Sequence, residues 1–378
     1  MQRSLLIGAV ALMRVANASV LPDDRADVFY SRYSGGGIRV NSESVLVRKK
    51  ITGNLAVEGS YDIDHISGAS VDAVSGASVI KDERHQKTAR VEYVHDQTTY
   101  ALSYIGSTER DLRANTVNLS LSQLMFNDLT TLTLAFGRTG DSVGRNQGSA
   151  VSPDVVWLGH AQSRAYDVGL SQVLAKNLVG GLNFEVITDA GNLANPYRQI
   201  RFAENTPPFY LVPADSGQIY PSTRTSTAVR GKAKYYLPYR AAITGSYRYF
   251  SDTWNVRADT YELDYAQPVF DAWTLEGRVR YYKQGHASFY RDVFTQPLNF
   301  MARDPQLAAS SNTTLGLKVN YSFAPEGFRM FKRGTATLDL SRVDYRYGDY
   351  RGSLSAPVTG PFYRFNATVL QAYLSMFF

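Results

Sequence analysis

From residue 312 the chain reads NTTLGLKVNYSF, with Thr313, Leu315, Leu317, Val319, Tyr321 and Phe323 on odd positions. Asn312, Thr314, Gly316, Lys318, Asn320 and Ser322 fill the even ones. A period of two places successive side chains on opposite faces, so the stretch predicts a strand. A dozen residues is long against the usual ~5–6. The same alternation returns in TVNLSLSQL (116–124), LTTLTLAFG (129–137), YDVGLSQVL (166–174) and GGLNFEVI (180–187). It is found again in AAITGSYRYF (241–250), YELDYA (261–266) and WTLEGRVRYY (273–282). Past the first residues, nothing keeps a helical period over three turns, and the chain reads as all-β.

Reading backward from the C-terminus places strands at 363–378, 333–346, 312–323, 273–284, 255–267, 240–250, 223–237 and 179–189. Further strands fall at 163–174, 129–138, 114–124, 98–106, 86–95, 54–65 and 38–49. DVFYSRY (27–33) completes about sixteen, with fourteen as the lower alternative because that segment is short for a spanning strand of ~9–11 residues. In 333–346 the alternation slips after Leu340, since Val343, Tyr345 and Tyr347 change parity, which predicts a bulge near Ser341. Short polar links such as KKITGN (49–54), HDQTT (95–99) and LAKN (174–177) alternate with the longer 66–85, 138–162, 190–222 and 285–311. Short-long alternation predicts an up-and-down barrel rather than a Greek-key sandwich.

What the apolar face meets is decided by its margins. The 378 residues include 26 tyrosines and 18 phenylalanines, many near strand ends, as expected of interfacial girdles around a lipid-facing belt. Only a closed barrel pairs every backbone group of a sheet in hydrocarbon, so the fold class expected is a transmembrane antiparallel up-and-down β-barrel. The longest nearly apolar run, LLIGAVALM (5–13), is far short of the ~20 residues of a spanning helix. It follows Arg3 and leads to Val15-Ala16-Asn17-Ala18, the layout of a secretory signal peptide over 1–18 with the barrel over 19–378. The chain ends VLQAYLSMFF, with Leu370, Ala372, Leu374, Met376 and Phe378 on one face. A last amphipathic strand closing on phenylalanine resembles the signal read by the outer-membrane barrel assembly machinery.

Absence of cysteine excludes disulfides, zinc–thiolate sites and thiol catalysis. If the apolar parity faces lipid, the opposite parity lines the lumen, because Arg or Lys at the lipid midplane costs ~2–4 kcal/mol. Lumen-lining candidates are then Arg230, Lys232, Lys234, Arg248, Glu262, Asp264, Glu276, Arg278, Arg280 and Lys318. On the other half, Glu58, Asp62, Asp64, Arg90, Glu92, Asp167 and Glu185 are further candidates. Such a wall either selects solutes by a transverse field or braces the barrel with Arg–Glu pairs. Two loops rich in Arg, Tyr and Pro, NPYRQIRFAENTPPFYLV (195–212) and RDVFTQPLNFMARDPQ (291–306), either fold inward or cap the surface. SGASVDAVSGAS (67–78) is expected to pack on or in the barrel through its valines.

The histidines, His65, His85, His95, His160 and His286, show no metal-ligand spacing. His65 beside Asp62 and Asp64 reads as a polar cluster before it reads as a metal site. His286, Ser288 and Asp292 crowd one segment without defining a nucleophile–base–orienter set. No catalytic residue, cofactor or metal is expected. The net charge of +6 fits contact with lipopolysaccharide phosphates rather than nucleic acid.

Several stretches carry a family resemblance: GGGIRVNSESVLVRKKI, YDIDHISGASVDAVSGAS, NPYRQIRF, PSTRTSTAV, YRYFSDTWNVRADT, RYYKQGHASFY and FMARDP. They resemble domain of unknown function 3570, a bacterial outer-membrane family without an assigned activity. The resemblance implies a Gram-negative outer-membrane barrel and brings no catalytic residue. The function expected is a porin-like channel for small polar or ionic solutes; the alternative is a non-conducting envelope barrel that docks a periplasmic or lipoprotein partner.

Overall fold

The structure, a computed structural model, describes residues 20–68, 80–147, 154–203, 211–213, 219–323, 331–352 and 359–378. The expected signal peptide and most of SGASVDAVSGAS lie outside the described residues. Strands run β1 (Arg25–Gly35), β2 (Ile38–Lys50), β3 (Leu55–Gly68), β4 (Ile80–His95), β5 (Thr98–Thr108), β6 (Leu112–Met125), β7 (Thr130–Asn146), β8 (Val155–Ala175) and β9 (Leu178–Gly191). A small hairpin, β10 (Gln199–Arg201) and β11 (Leu211–Pro213), stands apart. The chain continues through β12 (Thr223–Tyr236), β13 (Ala242–Asp252), β14 (Arg257–Val269), β15 (Trp273–Gln284), β16 (Ser310–Phe323), β17 (Arg333–Tyr347) and β18 (Arg364–Phe377).

Each strand but those of the hairpin pairs antiparallel with its sequence neighbour, β9 with β12, and β1 with β18, closing a barrel of sixteen. The seam is complete: Arg25 lies opposite Phe377 and Gly35 opposite Ala367. The segment 27–33 thus belongs to a full member, β1, which is eleven residues long and paired on both sides.

Apolar side chains of the described strands face away from the lumen and stay exposed. Leu182 keeps 62% of its surface exposed and Leu315 57%. Aromatics gather on this outer face at two levels. Toward the end with short turns, Tyr93 stacks by Tyr100 and Trp273 by Tyr321 at 4.5 Å. Nearer the other end, Tyr247 meets Tyr261 at 5.0 Å. An apolar belt between aromatic rows, with polar residues inside, is the arrangement that suits hydrocarbon outside and water within.

Two strand features differ from expectation. No bulge interrupts β17: its registers with β16 and β18 run unbroken past Ser341, and Val343, Tyr345 and Tyr347 simply point inward. There Tyr345 stacks on Phe365 at 4.6 Å and Tyr347 packs against an interior hydrophobic cluster, so the apolar residues changed face to meet a core. Register shifts occur instead at Val143/Gly144 and at Val173/Ala175. The segment 138–162, expected as a long loop, is largely the extended ends of β7 and β8. Connections at the loop end are also uneven: 36–37, 109–111 and 253–256 are brief, whereas 192–222, 285–309 and 348–363 are long.

Candidate functional site

All ten charged residues expected on the inner wall share the face opposite the belt, and eight of them are joined in ion pairs. From β12 to β16 the chain of contacts runs Arg230–Glu262 (3.4 Å), Glu262–Arg280 (4.0 Å), Asp264–Arg278 (2.8 Å), Arg278–Glu276 (3.5 Å) and Glu276–Lys318 (2.7 Å). Arg248 reaches back across β12 to Glu185 on β9 at 2.9 Å. Lys232 and Lys234 make no ion pair among the described residues; Lys234 sits over the Tyr236 ring at 4.9 Å. Lys232 is exposed to the lumen.

A second network braces β1–β4. Arg48 pairs with Glu92 and with Glu58 (3.7 Å), Arg25 with Asp27 (3.0 Å), Arg84 with Asp64, and Arg90 with Glu92 (3.5 Å). Of the remaining candidates, Asp62 accepts from Ser60 and Asp167 from Asn183. Between the two networks, β5–β8 present mostly small side chains: Ser103, Thr116, Asn118, Thr139, Gly137, Ser163 and Ala165. This arc of the lumen is therefore smoother than the two networks, with Asp141 and Asp167 among its charged residues.

The long loops turn inward. Ile200, Ile219 and Tyr220 of the β9–β12 connection join Ala287, Phe289, Tyr290, Phe294, Met301 and Leu307 of the β15–β16 connection in one buried cluster, with Trp254 and Tyr350. At its centre Asp292 takes three arginines: Arg201 (3.1 Å), Arg303 (3.1 Å) and Arg351 (3.0 Å). Arg201 and Arg303 are almost wholly buried, which only such pairing makes tolerable. Asp349 ties the last loop in, accepting from the Ala309 N–H at 2.8 Å and meeting His286 Nδ1 at 2.7 Å. Burial raises the Asp349 carboxyl, opposed by His286, and raises the Tyr290 hydroxyl.

A chamber of about 200 Å³ remains between these loops and the smooth wall. Its lining takes Leu193, Asn195, Pro196, Asp304 and Gln306 from the loops, and Thr116, Asn118, Thr139, Asp141, Ser163 and Asp189 from β6–β9. Residues attached to β15 and β16 thus line one space with residues of β6, nearly across the ring, so the β15–β16 loop crosses the lumen. Tyr197 fastens the neighbouring loop to the far rim: its hydroxyl donates to Asp111 and accepts from the Asn146 N–H at 2.9 Å. Burial would raise the Asp304 carboxyl, yet Arg198 and the hydrogen bonds from Gln306 and Asn195 hold it below the ordinary value.

His65 faces away from Asp62 and Asp64, as adjacent strand parity requires, and meets Glu83 at 3.1 Å. His286 engages Asp349 and leaves Asp292 to the arginines, so no nucleophile–base–orienter set forms in that segment. Asp82, Glu109 and Asp111 place carboxylate oxygens within 4.8 Å of one another at the loop-end rim, a set of hard oxygen ligands suited to a divalent cation. Burial pushes the Glu109 carboxyl up to about 8, with Asp82 and Asp111 adding to the rise, and the Asp111 carboxyl to about 6, with Asp82 adding to it.

The arginine-rich loops were visible as such in sequence, but neither the Asp292 hub nor the chamber was. A protein-family model described as "Protein of unknown function (DUF3570)" matches residues 72–337. No curated protein gives a significant match. Among solved structures, the chain is similar to a bacterial polysaccharide outer membrane secretin (TM-score 0.49, 9% identity, 93% of this chain and 98% of that one). It is similar also to the outer membrane protein opdK from Pseudomonas aeruginosa (TM-score 0.46, 9% identity, 93% and 98% covered). A third is a loop-deletion mutant of OmpT, an outer membrane protein of Vibrio cholerae (TM-score 0.43, 10% identity, 95% and 100% covered).

Proposed function

We propose, for a chain that belongs to the DUF3570 family of proteins of unknown function, that the barrel sits in the outer membrane of a Gram-negative envelope and passes small polar or ionic solutes. The observation that carries this reading is the exposure of the charged inner wall. Arg230, Arg248, Arg278, Arg280 and Lys318 keep 32–42% of their side-chain surface exposed although they point inward. A lumen packed shut would bury them. Fixed charges on a wet wall bias the ions that enter. The short-turn end, where β1 begins and β18 ends, then faces the periplasm, and the terminal strand with Phe378 is what the assembly machinery would read. Basic loop-end residues would meet lipopolysaccharide.

The inward loops favour a second reading, a non-conducting barrel that docks a periplasmic or lipoprotein partner, because the Asp292 hub gives them the order of a plug. Planar-bilayer recording of the purified, folded barrel under a salt gradient separates the two. Steady conductance steps support passage. A silent bilayer from protein that still migrates differently before and after boiling overturns it in favour of docking.

A further inference from the structure

Past the loop-side margin of the apolar belt, the outer face of β6–β8 carries cations with nothing beside them to balance their charge. Outward positions there turn from apolar to polar in one step: Val117 to Asn115, Phe136 to Arg138 and Tyr166 to Arg164. Arg138 and Arg164 stand directly opposite each other in the β7–β8 register, just beyond the Phe136–Tyr166 ring pair at 5.3 Å. Both are exposed, and neither makes an ion pair or side-chain hydrogen bond among the described residues. Like charges directly opposite on a sheet repel, so the pair is a cost to the bare barrel. Nearby acids do not relieve it. Asp141, Asp167 and Asp189 have the inward parity, and no outward position of β6, β7, β8 or β9 is Asp or Glu.

A second cationic row lies roughly 13 Å further from the belt, four residues along each strand at ~3.4 Å. Arg113, Ser142 and His160 align across β6–β8 there, with His160 Nδ1 3.2 Å from Ser142 Oγ. A backbone irregularity completes the row. On β8 the odd residues Ala161, Ser163 and Ala165 face the lumen, and unbroken parity would send Trp157 the same way. The register shift at Val143/Gly144, with Gly159 at φ 142°, instead sets Trp157 opposite Gly144 and turns it outward. Arg113 then lies 5.1 Å from its ring centre. Bulges re-aim side chains in this way. Arg113, Ser142, Trp157, Gly159 and His160 line a surface groove of about 340 Å³.

We propose that this face binds the phosphorylated headgroup of lipopolysaccharide. Arg138 and Arg164 hold one phosphate at the edge of the belt, where the acyl chains lie on the apolar side chains below. Guanidinium groups suit this ligand because each presents a planar fork of donors to phosphate oxygens. The Arg113–His160 row takes a further anionic group of the same headgroup, a reach that the single phosphate of a glycerophospholipid does not have. The belt beside the first row favours an anion carried on acyl chains over free phosphate. The proposal rests on the outer-membrane placement given above.

The probes are purified lipopolysaccharide, the same lipid after removal of its phosphates, phosphatidylglycerol and inorganic phosphate, each titrated against the detergent-folded full chain. Lipopolysaccharide should bind at least about tenfold more tightly than the other three. Arg138→Gln with Arg164→Gln should weaken its binding about tenfold or more and leave the dephosphorylated lipid unaffected. Lys232→Gln, which removes a charge from the inner wall, should change neither. Should the double variant fail to shift on gels when boiled, Gly140→Glu takes its place. The Cβ added at Gly140 enters open space between the two rows, and the new carboxylate should weaken binding to a similar degree. Equal binding of any of the other three probes overturns the proposal, as does unchanged affinity in the folded double variant or in Gly140→Glu. An equal loss in Lys232→Gln overturns it too, since net charge alone would then attract the lipid. A barrel that fractionates with the outer membrane and fails these tests keeps its placement and loses the site. One that passes them and fractionates elsewhere keeps the binding and loses the placement.

Discussion

Glu276 and Lys318 stand directly opposite each other on β15 and β16, Nζ 2.7 Å from Oε2, and the other oxygen of the same carboxylate takes Arg278 at 3.5 Å. One acid thus serves two cations on the inner wall. Because Lys318 is about a third exposed, solvent screens part of the attraction. Glu276→Gln should therefore cost only about 1 kcal/mol of barrel stability in lipid, read from the urea midpoint. Its larger effect should be to remove one negative charge from the wall, release Lys318 and leave Arg278 to Asp264 alone, and so shift ion preference toward anions.

Lys232 offers the cleaner test of the wall's field. It is exposed to the lumen and makes no ion pair among the described residues, whereas neighbouring Arg230 is held by Glu262 and by Ser246 at 3.1 Å. Lys232→Glu should move the reversal potential toward cation preference and leave the urea midpoint within about 0.5 kcal/mol of wild type. Arg230→Glu should move both, since it sets two carboxylates side by side. Equal stability losses from the two changes would show that Lys232 is also a brace.

Strand β16 was fully legible because one face meets belt and the other meets lumen along its whole length, so parity and polarity agree. In β17 they part company: above Leu340 Val343 and Tyr345 turn inward and Tyr347 packs on the loop core, and polarity alone suggested a bulge that the register does not contain. The loop-side ends of β4, β7 and β8 were under-read for a related reason. Their outward positions there, such as Glu83, Ser142 and His160, are polar, so the apolar period stops before the strand does. The inner-wall charges followed from parity, but the chamber did not. Asp141, Asp189 and Asp304 come from two strands and a loop, and Asn195 meets Asp304 across 109 residues of chain. No local spacing encodes such a meeting.

The hub at Asp292 makes a prediction about the loops rather than the barrel. Asp292→Ala would leave Arg201 and Arg303 buried without their shared carboxylate, a change that typically costs 3–5 kcal/mol. The β1–β18 seam and the registers of the sixteen barrel strands do not involve these residues, so the barrel should still shift on gels when boiled. The loss should fall on 285–309, seen as faster proteolysis there and, if the loops restrict passage, as larger conductance steps. Asp292→Asn, which keeps the shape and loses the charge, should fall between.

The rim acids make the fold sensitive to pH in an uncommon direction. Glu109, in the β5–β6 turn, has its carboxyl raised by burial to about 8 from an ordinary 4.5; Asp82, Asp111 and Asp64 add to the rise and Arg84 opposes it. The folded state therefore binds this proton more tightly than the unfolded state. Where the folded state holds more protons, stability falls as pH rises. The stabilisation is complete below about 4.5 and is lost progressively up to about 8. The urea midpoint of the folded barrel should accordingly decline across that window. Glu109→Gln, which stays neutral, should flatten the decline and be the more stable protein at the alkaline end. A wild-type profile that is already flat would mean Glu109 is ionised throughout, as a cation among Asp82, Glu109 and Asp111, whose oxygens lie within 4.8 Å, would make it. Added chelator would then restore the slope.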